Sequence, residues 1–361
     1  MFDLQNSSGL PASLSVHEDI GGTAWLAVTI KATFAVERGT VVIVDQQEPI
    51  LHVDSHWGEP GESSINLPAD VVPFKPATDI ILVGSAYAPA GQPAREVDVT
   101  VSIGQTTKTV RVFGDRKWRL GLFGYRPSAP IAFTCMPLVY ERAFGGADRA
   151  HQSPKRHDWD PRNPVGRGLH ARRGRGGVRG SPLPNLEDPR HPIRNWRNRP
   201  TPAGFGAISP SWEPRLQLAG TYDDNWRERH APLLPSDFDA RFFQCAHPDL
   251  IAPGYLKGDE RVRVVNATPD GEWDVRLPAL AIGVAVHADH GSSGHVARLD
   301  TVVVRPDDRR INLIWRCMVP IRRKVLEIKR VIVFSAPLDA VAELEPFLNL
   351  ADEQTASVHA E

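Results

Sequence analysis

From Trp25 to Val36 the even positions Leu26, Val28, Ile30, Ala32, Phe34 and Val36 are apolar, while Thr29, Lys31 and Thr33 alternate with them. A period of two is that of a strand with one face in a core and the other in solvent. Glu37-Arg38-Gly39-Thr40 then separates it from the apolar run 41–44, and a gap of that length holding a Gly predicts a β-hairpin. The pattern returns at Val97, Val99, Val101 and Ile103, with Asp98, Thr100 and Ser102 on the other face, and Gly104-Gln105 leads into a second run over 106–113. Residues 1–135 therefore read as an antiparallel β region.

After Arg261 the same signals resume over 261–265, 273–277, 281–287, 301–305, 311–316 and 325–334. Pro-Asp-Gly at 269–271 and Pro-Asp-Asp at 306–308 supply turns, since Pro presets φ and Asp bonds its own backbone. Residues 251–361 form a second antiparallel β region. Helical spacing occurs at Leu338, Val341, Leu344 and Leu348, predicting a C-terminal helix over 337–350 that Pro346 keeps short or kinked. The fold expected is mainly β: antiparallel sandwich- or barrel-like units around a long loop-rich centre, with a short C-terminal helix.

That centre, residues 136–250, differs in kind. Residues 141–230 carry 16 Arg but one Lys, and their 22 Gly plus Pro leave little room for regular structure. No acidic residue occurs from Pro161 to Leu186, while Arg162, Arg167, Arg172, Arg173, Arg175 and Arg179 accumulate among glycines, so this window is locally basic and flexible. Phe144, Trp159, Trp196, Phe205, Trp212, Tyr222 and Trp226 are spread through the segment. Disordered chains are aromatic-poor, so much of it reads as an ordered insert clamped onto the β regions.

Over all 361 residues, 42 Lys+Arg against 43 Asp+Glu leave a net charge of −1, which argues against a general nucleic-acid binder. Cys135, Cys245 and Cys317 are odd in number and far apart, and read as buried thiols of a reducing compartment rather than a disulfide framework. The N-terminus lacks a signal-peptide pattern, and no run of ~18 apolar residues occurs, so a cytoplasmic chain without membrane insertion is expected.

His287, Asp289, His290 and His295 offer metal-ligating types within nine residues, but their spacing fits no compact metal motif and reads as a polar loop between strands. His52 and His56 are a weaker pair of the same kind. No G-x-S-x-G elbow and no phosphate loop occurs, and Asp223-Asp224 and Glu187-Asp188 read as turn caps. Arg and Trp are enriched at protein–protein hot spots, so the central composition favours a protein partner over nucleic acid.

The central residues are also familiar in order and spacing: Tyr140-Glu-Arg-Ala-Phe-Gly-Gly146, Asn163-Pro-Val-Gly-Arg-Gly168 and Leu183-Pro-Asn-Leu-Glu-Asp-Pro189, followed by Pro202-Ala-Gly-Phe-Gly206, Ala219-Gly-Thr-Tyr-Asp-Asp-Asn-Trp226 and Leu234-Pro-Ser-Asp-Phe-Asp-Ala-Arg-Phe-Phe243. They resemble domain of unknown function 2169, a family of Gram-negative bacteria often encoded beside type VI secretion genes, and the resemblance runs as one continuous domain over about 20–320. It implies a non-enzymatic cytoplasmic adaptor or chaperone that helps load a toxic effector, often one with a PAAR-type tip domain, onto the secretion spike. The partners implied are that effector or the tip or spike protein; no cofactor, metal or catalytic residue is implied.

Within the motifs, Glu141, Arg142, Phe144, Gly145, Gly146, Gly166, Gly168, Gly204, Gly206, Asp223, Asp224 and Trp226 read as structural. Glu141 with Arg142, and Asp223 or Asp224 with Arg227, are expected ion pairs, while Phe144 and Trp226 are expected core anchors. Trp159, Asn163 and Arg167, at the edge of the basic window, together with Trp196 and Trp212, are the candidate partner surface. A rival reading is a metal-dependent hydrolase using the central Asp/His/Arg residues or the His287–His295 loop. A weaker one is nucleic-acid binding by the Arg run, with Trp159, Trp196 and Trp226 as stacking platforms.

Overall fold

Strands from the two ends of the chain pair with each other rather than only among themselves. The computed structural model describes residues 3–149, 152–153, 155, 157–170, 178–321 and 325–338. Its main strands are β1 (Asp3–Asn6), β2 (Ala12–Glu18), β3 (Ala24–Glu37), β4 (Thr40–Ile43), β5 (Asp79–Leu82), β6 (Glu96–Ile103), β7 (Thr106–Phe113), β8 (Trp118–Gly121) and β9 (Gly124–Pro127) in the first part. They continue as β10 (Leu186–Glu187), β11 (Arg261–Val265), β12 (Glu272–Arg276), β13 (Leu280–Ala288), β14 (Gly291–Val296), β15 (Arg298–Arg305), β16 (Arg310–Pro320) and β17 (Ile328–Pro337).

These form a six-stranded sheet in the order β2-β3-β16-β15-β5 with β4 on β3, a five-stranded sheet β10-β7-β6-β11-β12 and a four-stranded sheet β1-β17-β13-β14. The longest pairing is antiparallel, β3 with β16 from Trp25 opposite Pro320 to Ala35 opposite Arg310. β6 pairs β11, and two parallel pairings, β1 with β17 and β5 with β15, again join the two ends of the sequence. The N-terminal and C-terminal β regions are therefore halves of shared sheets. None of the three sheets closes on itself, so the layered alternative holds and the barrel does not.

One apolar cluster joins all three sheets through Leu26, Ile30, Val99, Val101, Val264, Val284, Leu313 and Val333. A smaller one, Trp118, Phe144, Leu169, Val178, Leu183, Ile193 and Trp196, lies under the central loops. The expected ordered insert is present wherever the centre is described. Arg172, Arg173 and Arg175 lie outside the described residues, as does the expected helix beyond Leu338, with Val341, Leu344, Pro346 and Leu348. The α-helix that is described is α1 (Asp224–Arg229), capped by Asp223, whose carboxylate accepts from the Trp226 amide at 2.8 Å.

Three expectations are overturned. The run 291–296 is not a loop but β14, hairpinned onto β13, because its small residues fit an edge strand. Cys135 is exposed, and only Cys245 and Cys317 are buried. Most consequentially, the polar face of β3 is not in solvent: Thr29 and Thr33 are 0% exposed and Lys31 3%. Segment 44–78 covers it and supplies partners. The Lys31 ammonium lies 3.0 Å from Asp70 and donates to the Pro49 carbonyl at 3.2 Å. Asp70 also accepts from the Leu51 amide at 2.8 Å.

Arg316 on β16 is the hub of this layer. Its Nε donates to Asp300 at 2.6 Å, Nη1 to Thr29 Oγ1 at 2.6 Å and the Val72 carbonyl at 2.9 Å, and Nη2 to the Asp70 carbonyl at 2.8 Å. Asp300 accepts from Thr301 at 2.9 Å, and Thr301 accepts from Lys75 at 2.8 Å. Lys75 in turn is paired with Asp79 at 2.8 Å. Burial alone would push the Lys75 ammonium down, but Asp79, Cys245 and Asp300 together hold its pKa above the ordinary lysine value. Buried charge is tolerated here because nearly every lone pair and proton has a partner.

Removing one partner strands the other. Arg316→Met should cost about 3–5 kcal/mol, since Asp300 stays buried without its cation. Arg316→Met combined with Asp300→Leu should recover part of that loss. Urea unfolding of the three proteins checks this, and equal stability of the single and double variants would contradict it.

Candidate partner-binding groove and the clasp behind it

The familiar glycine motifs build a clasp. Phe144–Gly145 pairs in parallel with Arg167–Gly168, and Asn163 sits between the two segments. Its side-chain amide donates to the Tyr140 carbonyl at 2.8 Å and the Phe144 carbonyl at 3.0 Å, and its own carbonyl accepts from the Gly146 amide at 2.8 Å. Gly145 and Gly146 have φ of 145° and 92°. A Cβ on Gly145 would strike the Asn163 carbonyl, and one on Gly146 the Gly166 carbonyl, so no other residue type fits the approach. Gly204 rests on the Tyr140 ring and Gly168 on Pro184; Gly206 lies at the far edge of that ring. Arg167 Nε donates to the Glu141 carbonyl at 2.9 Å, and Asn185 ties the clasp to the end of β7 through the Phe113 carbonyl at 3.0 Å.

Glu141 and Arg142 do not pair. Adjacent residues on a turn point apart, and Glu141 instead accepts from the Ser64 amide and hydroxyl, both at 2.7 Å, while Arg142 reaches Asn185 at 3.3 Å. Arg227 does pair with Asp224, at 2.7 Å. Phe144 is buried in the smaller core, and Trp226 is half-buried with its indole N–H on the Leu233 carbonyl at 2.9 Å.

The proposed partner residues separate. Asn163, Trp196 and Trp212 are buried and spent on the fold, Trp212 packing edge-on against Tyr140 at 5.8 Å. Arg167 is half-buried, and Trp159 stands 57% exposed. The structure thus gathers Asn163 and Arg167 in the clasp and leaves Trp159 outside it. The histidines of 287–295 do not converge: His287 bonds Ser292 at 2.5 Å, His295 bonds Ser293 at 2.9 Å and His290 faces Glu327 at 3.5 Å. Among the described residues, no group of three His, Cys, Asp or Glu side chains is placed to hold a metal ion.

A wide concavity lies elsewhere. A groove of about 1010 Å³ opens where β2, β3, β15 and β16 of the six-stranded sheet meet β13 and β14 and the loops 73–75, 234–243 and 255–257. Trp315 and Cys317 are its buried floor, and His295 and Val296 of the edge strand β14 form one side. The other side is aromatic: Phe243 lies 6.2 Å from Phe74 and 5.3 Å from Phe238. Arg298 lies over the Tyr255 ring at 5.1 Å, and its guanidinium forms no ion pair among the described residues.

Phe238 and Phe243 belong to the motif Leu234–Phe243, which α1 and the Trp226–Leu233 bond hold in place. Burial pushes the Cys317 thiol up to about 12, so it is no nucleophile near neutrality. Burial, and then the Arg316 charge, lowers the pKa of His17 at the rim below the ordinary imidazole value. The site offers apolar surface, the unpaired edge of β14 and two cations, Arg298 and Lys257, that form no ion pair among the described residues. Apolar walls beside an unpaired strand edge are the features that strand addition by an extended segment uses. Reading single motifs missed Phe74, Tyr255 and Arg298, because three distant segments supply them; the run Leu234–Phe243 was the one visible signal.

A titratable cluster sits at the edge of the five-stranded sheet. Burial, then the Lys108 ammonium, lowers the His247 pKa to about 4. Its Nδ1 takes the Asp249 amide at 3.1 Å and faces Lys108 Nζ at 3.2 Å, so a proton there would set two cations together. Lys108 pairs with Asp249 at 3.0 Å, which Arg190 also reaches at 3.0 Å. The cluster locks the turn 247–250 onto β7 and does not line the groove.

Residues 21–316 match the family described as "Uncharacterized protein conserved in bacteria (DUF2169)", and the chain belongs to that family. No curated protein and no solved structure matches the chain.

Gly146→Ala combines a strained φ, about 1–3 kcal/mol, with overpacking, about 1–3 kcal/mol. Gly39→Ala, at a φ of 81° in open space, carries only the first. Thermal unfolding should rank Gly146→Ala well below Gly39→Ala. The His247 pKa is depressed in the fold, so its contribution is complete above the unfolded value near 6.5 and is lost as pH falls toward about 4. Stability should fall by up to ~3 kcal/mol over that window. His247→Asn should flatten that part of the pH profile, measured by urea unfolding at each pH.

Proposed function

We propose that this DUF2169 member is a non-catalytic adaptor that holds a type VI secretion effector, bearing a toxin or PAAR-type domain, in the cytoplasm and delivers it to the secretion spike. The observation that carries this reading is the groove whose aromatic side is built by the motif Leu234–Phe243. Exposed apolar surface beside a free strand edge is a liability unless a partner covers it, and it suits masking of an aggregation-prone segment of the cargo. A cargo strand would add to β14 and set alternate side chains against Phe74, Phe238 and Phe243. The glycine clasp supports the reading by fixing loops that carry no chemistry of their own.

Co-expression with neighbouring gene products, followed by tagged capture and size-exclusion chromatography, tests it. The cargo should be poorly soluble alone and soluble in the complex. Phe74→Asp and Phe238→Asp should each lower recovery of the complex by at least about tenfold, as loss of a hot-spot anchor does. Capture that survives both changes but is lost in Trp159→Ser would move the binding face to the central loops. Absence of any stable partner would count against the adaptor itself.

A further inference from the structure

The hairpin β8–β9 is a second exposed feature, and it is convex. Its register runs from Trp118 opposite Pro127 to Gly121 opposite Gly124, leaving Leu122 and Phe123 as the two-residue tip. Trp118 is buried, with Tyr125 packed against its cluster, so the base is anchored while the end projects. Leu122 is 99% and Phe123 104% exposed, so no other described residue shields them. Leu120, on the shaft, and nearby Ile131 are also exposed.

The collar below the tip is cationic. Arg119 and Arg126 lie directly opposite each other in the register, and like charges so placed repel. Lys117 is exposed beside them. No acidic residue occurs from Arg116 to Tyr140, and none of these three cations has an ion-pair partner among the described residues. Asp115, the nearest acid in the chain, already accepts from Asn185 at 3.0 Å.

We propose that this hairpin docks on an anionic lipid surface, its Leu122–Phe123 tip dipping into the headgroup–acyl boundary while Arg119, Arg126 and Lys117 engage lipid phosphates. Spacing favours a bilayer over a protein socket. Three residues of strand separate the guanidiniums from the tip, about 10 Å at 3.3 Å per residue, and interfacial segments bury their apolar groups ~5–10 Å deep. A convex finger with a cationic collar needs no shaped cavity opposite it. The contact is peripheral and independent of the adaptor reading; no helix among the described residues is long and apolar enough to cross a membrane.

The test is co-sedimentation of the full chain with vesicles of phosphatidylcholine alone and of phosphatidylcholine mixed equally with phosphatidylglycerol. Sedimentation is expected with the mixed vesicles only, weakening as salt screens the collar. L122S/F123S and, separately, R119E/R126E should each reduce it by at least about tenfold while keeping the thermal transition, since all four positions are exposed. No sedimentation with mixed vesicles overturns the proposal, as does unchanged sedimentation of L122S/F123S. A hairpin that instead governs capture of a protein partner, with vesicles ignored, also overturns it.

Discussion

The buried charge layer on the polar face of the six-stranded sheet is the constraint to which the rest of the molecule conforms. Once Lys31, Arg316 and Lys75 are placed on that face, carboxylates must be brought to them, because an unpaired buried ion costs far more than any single contact returns. Asp70 and the carbonyls of Pro49 and Val72 come from the segment between β4 and β5. Asp300 and Asp79 come from strands hundreds of residues apart in sequence. A stretch with almost no regular structure is fixed across the sheet as a result, and both ends of the chain are committed to one register.

The clasp solves a different problem with a different material. The central region, rich in Pro and Gly, buries only a small core around Phe144, Leu183 and Trp196. It is held as well by backbone atoms in close approach, with Asn163 and Asn185 standing in for the amides that a regular ladder would supply. Gly145 and Gly146 are required there because any side chain would occupy space taken by the opposing carbonyls. The central glycine motifs are therefore largely motifs of construction, while Leu234–Phe243 supplies Phe238 and Phe243 to the groove.

Much of the fold was legible in the sequence, and what was not has physical causes. Strand positions followed from the alternation at 25–36 and 97–103 and from the short punctuated runs after Arg261, and the first hairpin gap followed from Gly39. Alternation reports the polarity of a face, not its exposure, which is why Thr29, Lys31 and Thr33 read as solvated although they are buried. Nothing local marks Asp70 as the partner of Lys31, since the two lie 39 residues apart in the chain. Asn163 and the tryptophans Trp196 and Trp212 attracted attention by type and were spent on packing. Composition gives the capacity for contact, and burial decides which residues keep it.

The charge layer and the groove are also mechanically one object. Phe74 is followed by Lys75; Arg316 lies between Trp315 and Cys317; Asp300 follows Arg298 and Leu299. Lys75, Asp300 and Arg316 line the groove themselves, beside Phe74, Leu299, Trp315 and Cys317, so the pinned layer and the groove share residues. The ion pairs therefore fix the backbone positions from which the groove's floor and one of its aromatic walls project. An apolar layer of equal stability would allow those strands to slide or repack, whereas contacts from one guanidinium to several partners, as Arg316 makes to Asp300, Thr29, Val72 and Asp70, accept one register. A preformed groove lowers the ordering cost of binding an extended segment, so an expensive interior is coherent with the proposed docking of such a segment there.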